Sequence, residues 1–126
     1  MNPWATVWVA VGAGLGGALR FLLTGWVAQR WGAAFPWGTL LVNVSGSFLV
    51  GLLVALSLER NLVQPSLRLF LGTGLLGGYT TFSSLSWDSL SLMQHGNWGH
   101  ALLNMGGSVL LGLAAAAAGL ALGRMP

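Results

Sequence analysis

Charged side chains divide this sequence into long stretches that contain none. Asp, Glu, Lys and Arg are all absent from residues 1–19, 31–58, 69–87 and 89–123. A helix needs about 20 predominantly apolar residues to cross the hydrocarbon core of a bilayer. The pattern therefore predicts an all-α membrane protein, a single domain over residues 1–126. Its four transmembrane helices are expected at roughly 4–26, 36–58, 67–93 and 99–123.

The scarcity of charge excludes a water-soluble globule. Only 6% of the residues are charged, whereas a soluble domain carries about 25%. The N-terminal residues Met1, Asn2, Pro3 and Trp4 lack the positive charge of a signal peptide, so the first segment is expected to remain as a helix of the mature protein.

The basic residues do not indicate a nucleic-acid partner. The isoelectric point is about 11.4, but it reflects five scattered arginines against two acidic residues. Binding to nucleic acid needs a basic stripe that neutralises several phosphates. The chain has no cysteine, which excludes disulfides and thiol catalysis.

The arginines give only a weak signal for orientation. With four spans, Arg60, Arg68 and Arg124 share one side of the membrane, and Arg30 lies on the other. The excess of three arginines over one favours cytoplasmic termini, but this bias is small enough for insertion in either direction.

Glycine is abundant, with 20 residues, and two stretches match the dinucleotide-binding pattern G-x-G-x-x-G, at 12–17 and 72–77. That motif requires a preceding strand, a following helix and an acidic residue about 20 positions later, and neither match has this setting. Spacings such as Gly12 to Gly16 and Gly74 to Gly78 instead predict close helix packing in lipid.

The third apolar segment contains a predicted discontinuity. Gly77 and Gly78 are followed by a run of hydroxyl residues, and both features weaken a helix. We expect the third helix to break near Gly77–Thr80, where freed carbonyls can create an ion site. The alternative is a continuous helix whose glycines serve packing alone.

Polar side chains inside the spans are candidate functional residues. Arg20 lies within the first helix and either snorkels to the interface or has a functional role. Asn43 and Ser47 share a face of the second helix, and Asn104 with Ser108 repeats this spacing on the fourth. Each amide either donates to an anion or joins neighbouring helices.

The third helix carries a polar line at i, i+3 and i+7, formed by Thr81, Ser84 and Asp88, beside Phe82 and Leu85. Neutral amides and hydroxyls, without lysine or an embedded glutamate, suit an anion better than a proton-coupled cation. No nucleophile, base and orienting group are arranged together, so catalysis is not expected.

Three segments, taken in order, resemble the CrcB-type, or Fluc, fluoride channel family, and the length and four-helix layout agree over essentially the whole chain. They are Gly12-x-x-x-Gly16-Gly17-x-x-Arg20-Phe21, Pro36-Trp37-Gly38-Thr39-Leu40-x-Val42-Asn43-x-x-Gly46-x-Phe48-x-x-Gly51 and Gly74-x-x-Gly77-Gly78-Tyr79-Thr80-Thr81-Phe82-Ser83. The third is the most distinctive.

The resemblance implies a passive fluoride-selective channel in the inner or plasma membrane of a prokaryote. It implies an antiparallel, dual-topology homodimer, with a pairing of two paralogues as the open alternative. Two fluoride pathways would follow the subunit interface. One structural sodium ion (Na+) would lie on the two-fold axis, held by backbone carbonyls of Gly77 and Thr80 from each chain. Lipid and fluoride are the other expected partners, with no soluble protein.

The resemblance also assigns roles to individual residues. It implies a fluoride pathway lined by Asn43, Phe82, Thr81, Ser83, Ser84 and Ser108. Arg20 matches an arginine near the vestibule, where it orients the structure or attracts anions. The family's usual second phenylalanine, three residues after the first, is Leu85 here, so half of the aromatic arrangement is missing.

Two other classes compete with a fluoride channel. A small multidrug-resistance-type exporter also has four helices, but it relies on a carboxylate in its first helix, and this first helix has none. A non-transporting assembly subunit would explain the glycines. It would leave the donors of Asn43 and residues 80–84 without a purpose.

Overall fold

A computed structural model describes residues 2–126, which are almost entirely helical. The helices, in chain order, are α1 (Pro3–Trp31), α2 (Trp37–Glu59), α3 (65–79), α4 (Phe82–Gln94) and α5 (Trp98–Arg124). The four predicted segments therefore appear as helices, with the third divided into α3 and α4. This confirms the all-helical fold.

The first helix is longer than the sequence predicts. It begins after Asn2, whose Oδ1 accepts a hydrogen bond from the Trp4 N–H at 3.0 Å. It continues to Trp31 and stops at Gly32, whose φ of 80° is a conformation that glycine adopts without strain. Its 29 residues are more than the roughly 20 that cross a hydrocarbon core. The prediction followed the apolar stretch alone, and the helix continues through a polar last turn.

Two helical segments have π winding, which the sequence did not predict. The last turn of α2, Ala55–Glu59, and most of α3, Leu69–Leu76, use the wider i to i+5 hydrogen bonding. In α3 this winding ends with the Gly77 N–H bonded to the Gly72 carbonyl. The widened stretch leads directly into the end of α3.

The third span is broken as predicted, at the C-terminal end of the predicted range near Gly77–Thr80. Gly77–Tyr79 remains helical, and the extended residues are Thr80 (φ −84°, ψ 156°) and Thr81 (φ −150°, ψ 112°). A Cβ on Gly78 would collide with the backbone of Ala13 in α1. Gly78 therefore allows close helix approach, and the two threonines form the break.

Glycines bring the helices together in two pairs. Between α1 and α3, a Cβ on Gly12 or on Gly16 would collide with backbone atoms of Leu75. Between α2 and α5, a Cβ on Gly51 would meet the Ala116 carbonyl, and one on Gly119 would meet that of Phe48. The helix-packing interpretation of these glycines is confirmed, because backbone contacts backbone at each point.

Large apolar side chains point outward, as expected in lipid. Phe21 is 77% exposed and Leu110 is 70% exposed. Three helices, α1, α2 and α5, are individually long and apolar enough to cross a membrane. The chain is a multi-pass membrane protein whose outer surface is solvated by lipid.

Candidate functional site at the helix break

Asn43 supplies the hydrogen bonds that Thr81 loses by leaving the helix. The Asn43 Oδ1 accepts from the Thr81 N–H at 2.7 Å, and its Nδ2 donates to the Thr81 carbonyl at 3.0 Å. A backbone group without a partner is costly at membrane depth. Of the two predicted roles of Asn43, the joining of neighbouring helices is therefore observed.

Arg20 binds the other side of the break. Its Nε donates to the Gly78 carbonyl at 3.1 Å, near the end of α3, where the helix dipole favours a positive charge. The one ion pair among residues 2–126 joins Glu59 to Arg124, so the Arg20 guanidinium bonds to a carbonyl and not to a carboxylate. The side chain thus bonds to protein instead of reaching only for the interface.

Thr81 also begins α4. Its Oγ1 accepts from the Ser84 N–H at 3.1 Å and shares a hydrogen bond with the Ser83 hydroxyl at 3.2 Å. This is a helix N-cap, which satisfies one of the free N–H groups of the first turn. Thr81 and Ser84 are therefore joined by the cap instead of lying along a helix face.

Carbonyl groups are left free at the break. Among the turn, cap and side-chain hydrogen bonds of residues 2–126, none ends on the carbonyl of Gly77 or of Thr80. The Thr80 N–H and hydroxyl both donate to the Leu76 carbonyl, at 3.0 Å each. No group of three or more His, Cys, Asp or Glu side chains that could hold a metal occurs in the described chain.

A cleft of about 380 Å³ lies beside the break. Four of the predicted pathway residues, Asn43, Thr81, Phe82 and Ser108, line it together, and so does Leu85. The cleft is open at the molecular surface, where the Phe82 side chain is 81% exposed. Residues from three helices far apart in sequence therefore converge at one place.

Ser83 and Ser84 are not part of this lining. They are joined to Thr81 through the hydrogen bonds of the cap. Ser47 and Thr80, in contrast, do line the cleft, although they were not in the predicted pathway set. The one-turn spacing of Ser47 from Asn43 was the available sequence signal.

Ser108 presents a hydroxyl that has no partner. The residue is 7% exposed, and its Oγ is buried without a hydrogen bond among the described residues. A buried hydroxyl without a partner costs free energy and marks a place where a ligand or a water binds. Ser108 is therefore a residue of the cleft lining whose buried hydroxyl is unpaired among the described residues.

Two further polar pairs join the helices. Asn104 is fully buried and donates from Nδ2 to the Ser89 hydroxyl at 3.0 Å, while its Oδ1 has no partner within the described part of the chain. Thr39 donates to the Asp88 carboxylate at 2.7 Å. Sequence reasoning missed Thr39 and Ser89, although Thr39 precedes Asn43 by four residues and so shares its face of α2.

Comparisons with known proteins point in one direction. The profile of a family described as CrcB-like protein, Camphor Resistance (CrcB), matches residues 7–120. A relative from Thermus thermophilus is 54% identical over 115 residues, which cover 91% of this chain and 90% of the relative. One from Rhizobium meliloti is 49% identical over 116 residues, covering 92% and 93%. Both relatives are named fluoride-specific ion channel FluC.

Proposed function

Because the chain belongs to the CrcB-like protein family, we propose that it is a fluoride-specific ion channel, through which fluoride crosses the membrane passively and leaves the cytoplasm. The observation that carries this function is the identity of about one half, over about nine-tenths of both chains, with relatives of that name. This supports the function implied by the three sequence motifs.

The chemistry of the cleft suits a small anion. Its polar lining consists of an amide and hydroxyls, without any charged side chain. Fluoride holds its water strongly, so donors must replace that water as the ion enters. Selective conduction also needs sites weak enough to release the ion. Neutral donors satisfy both requirements, because a full positive charge would hold the anion too tightly.

The proposed pathway follows the cleft beside the break. Asn43 and Ser108 would donate to fluoride, and the positive edge of the Phe82 ring would face the ion. The start of α4 would contribute the hydroxyls of Thr81, Ser83 and Ser84 to the pathway. The helix N-terminus at this place also favours an anion. Arg20 would act as a structural residue at the neighbouring vestibule, supported by its bond to Gly78.

We propose an antiparallel homodimer as the functional assembly. The cleft is open, and the exposed Phe82 ring lies at its mouth. A second copy packed there would cover the ring and close the pathway from lipid. The small arginine bias is compatible with insertion of the two copies in opposite directions.

A structural sodium ion at the two-fold axis completes the proposal. The carbonyls of Gly77 and Thr80 would hold it, two from each chain. Support comes from the absence, among residues 2–126, of any turn, cap or side-chain hydrogen bond to these carbonyls. Hard cations also prefer oxygen ligands. The ion would stabilise the break by offsetting carbonyl dipoles that lack N–H partners.

The competing classes have less support. The apolar part of α1 contains no carboxylate, which a small multidrug-resistance-type exporter would need. A non-transporting subunit would have no use for the buried free hydroxyl of Ser108 beside an open cleft.

Flux measurement tests the proposed function directly. The purified protein is reconstituted in liposomes loaded with potassium fluoride, and valinomycin is added to compensate charge. We expect rapid fluoride release at an electrode, and retention of chloride in matched vesicles. Release no faster than from protein-free vesicles would exclude a fluoride channel. Equal release of chloride would exclude fluoride specificity.

A further inference from the structure

An apolar groove of about 670 Å³ lies between α1, α2 and α3, and none of its lining residues belongs to the cleft. It runs along α1 from Trp26 to Leu19, and Leu49 of α2 and Tyr79 of α3 line it as well. The Tyr79 hydroxyl shares a hydrogen bond with the Ser45 hydroxyl at 2.9 Å. Beyond Trp26, the groove therefore presents no free polar side-chain group.

Arg30 lies at the Trp26 end of this groove. The central carbon of its guanidinium is 5.1 Å from the centre of the Trp26 ring. This cation–π contact orients the side chain without neutralising its charge. Arg30 is exposed, and the one ion pair among residues 2–126 joins two other residues, Glu59 and Arg124. The charge of Arg30 is therefore available to an anionic group beside the groove.

The length of the groove matches the depth of one leaflet. Arg30 lies about three turns of α1 beyond Leu19, which is about 16 Å at the rise of an α-helix. The hydrocarbon core is about 30 Å thick, so one leaflet takes about half of that distance. Trp26 and Trp31, both exposed, lie at the end of α1, where aromatic rings mark the headgroup level. The cation is thus at headgroup depth and the groove at acyl-chain depth.

We propose that Arg30 and this groove form a binding site for an anionic phospholipid. The phosphate binds the Arg30 guanidinium, whose planar N–H groups match phosphate oxygens. One acyl chain lies along the groove between Leu22 and Leu49, where it covers apolar surface. The site is separate from the proposed fluoride path, and its occupation does not depend on transport.

A second copy of the chain would suit the apolar walls of the groove but not the charge beside it. The chain has two acidic residues in all. Glu59 binds Arg124, and the Asp88 carboxylate accepts from the Thr39 hydroxyl at 2.7 Å. A copy packed here would bring no uncommitted carboxylate to Arg30, whereas a phospholipid brings a phosphate. The charge therefore favours lipid as the occupant.

Photochemical labelling tests whether an acyl chain occupies the groove. The full-length protein is reconstituted in phosphatidylcholine that contains a small fraction of phosphatidylglycerol with a diazirine on its acyl chain, and the labelled residues are identified by mass spectrometry. We expect stronger labelling of Leu22 and Leu49 than of Leu110, which is 70% exposed on α5. Equal labelling of all three would show bulk lipid only. Unlabelled Leu22 and Leu49 would show that a second copy covers the groove, and either result would overturn the proposal.

Replacing the arginine tests the headgroup contact. In Arg30→Gln, labelling of Leu22 and Leu49 should fall about fivefold, the factor for one arginine near a lipid headgroup, while that of Leu110 stays constant. Arg68→Gln, which removes the same charge at the start of α3, is the matched control and should label as the wild type does. An unchanged pattern in Arg30→Gln, or an equal fall in both variants, would contradict a phosphate site at Arg30.

Discussion

Arg20 and Gly78 are joined by a hydrogen bond of 3.1 Å between positions 58 residues apart, from the arginine Nε to the glycine carbonyl. With the bonds between Asn43 and Thr81, it makes the break dependent on side chains from α1 and α2. The two extended residues are thus supported from both sides by helices that are themselves continuous.

Replacing Arg20 should destabilise the protein. In Arg20→Gln, the shorter side chain leaves the half-buried Gly78 carbonyl without this donor, at a cost of about 1 kcal/mol. We expect a lower midpoint of thermal unfolding in detergent, followed by tryptophan fluorescence. Arg68→Gln, which removes a charge near the start of α3, serves as the control. Equal midpoints for both variants would show that the bond to Gly78 contributes nothing.

Adjacent glycines in α1 should respond in opposite directions to alanine. A Cβ at position 16 would collide with the Leu75 carbonyl, whereas one at position 17 has no neighbour within 4 Å. Gly16→Ala should destabilise by about 1–3 kcal/mol through overpacking. Gly17→Ala should stabilise by up to about 1 kcal/mol, because alanine favours the helix. Unfolding midpoints of the two variants measure the difference, and a loss of stability at position 17 would contradict the packing.

Sequence reasoning reached the span pattern because lipid leaves a simple signal, the absence of charge over about 20 residues. It placed the break near Gly77–Thr80, and the extended residues are Thr80 and Thr81, at the end of that range. Gly78 stays helical because its missing side chain permits contact with α1. The π winding of Leu69–Leu76 has no local sequence signature. The winding changes which backbone groups are hydrogen-bonded to each other, and an apolar segment reads the same whether its helix is α or π.

The residues that line the cleft were predictable only in part, because the sequence shows polar residues but not how the helices pack. Asn43 and Ser108 stood out because polar groups are rare in lipid. Their convergence with Thr81 depends on tertiary packing that spacing along one helix cannot reveal. The same limit explains why the bond from Thr39 to Asp88 was missed.

Restoring an aromatic ring at position 85 tests the departure from the family pattern. Leu85 lines the cleft beside Phe82, and a phenylalanine there would add a second ring edge to the pathway. We expect Leu85→Phe to maintain or raise fluoride efflux from liposomes. Leu90→Phe, on an exposed position of the same helix, controls for added bulk. Abolished efflux in a Leu85→Phe protein that assembles normally would show that this pathway is built differently.

Removing the Ser108 hydroxyl should separate stability from transport. Its Oγ is buried without a partner among residues 2–126, so no hydrogen bond is lost with it, and Ser108→Ala should unfold at the wild-type temperature or slightly above. Ser108 nevertheless lines the cleft, and under the proposed function the loss of its hydroxyl should reduce fluoride efflux by up to about tenfold. Ser86→Ala is the matched control, because that hydroxyl is exposed and bonds to the Phe82 carbonyl at 3.0 Å. A purely structural serine would lower the unfolding temperature and leave the efflux per folded protein unchanged, the opposite of the expected result.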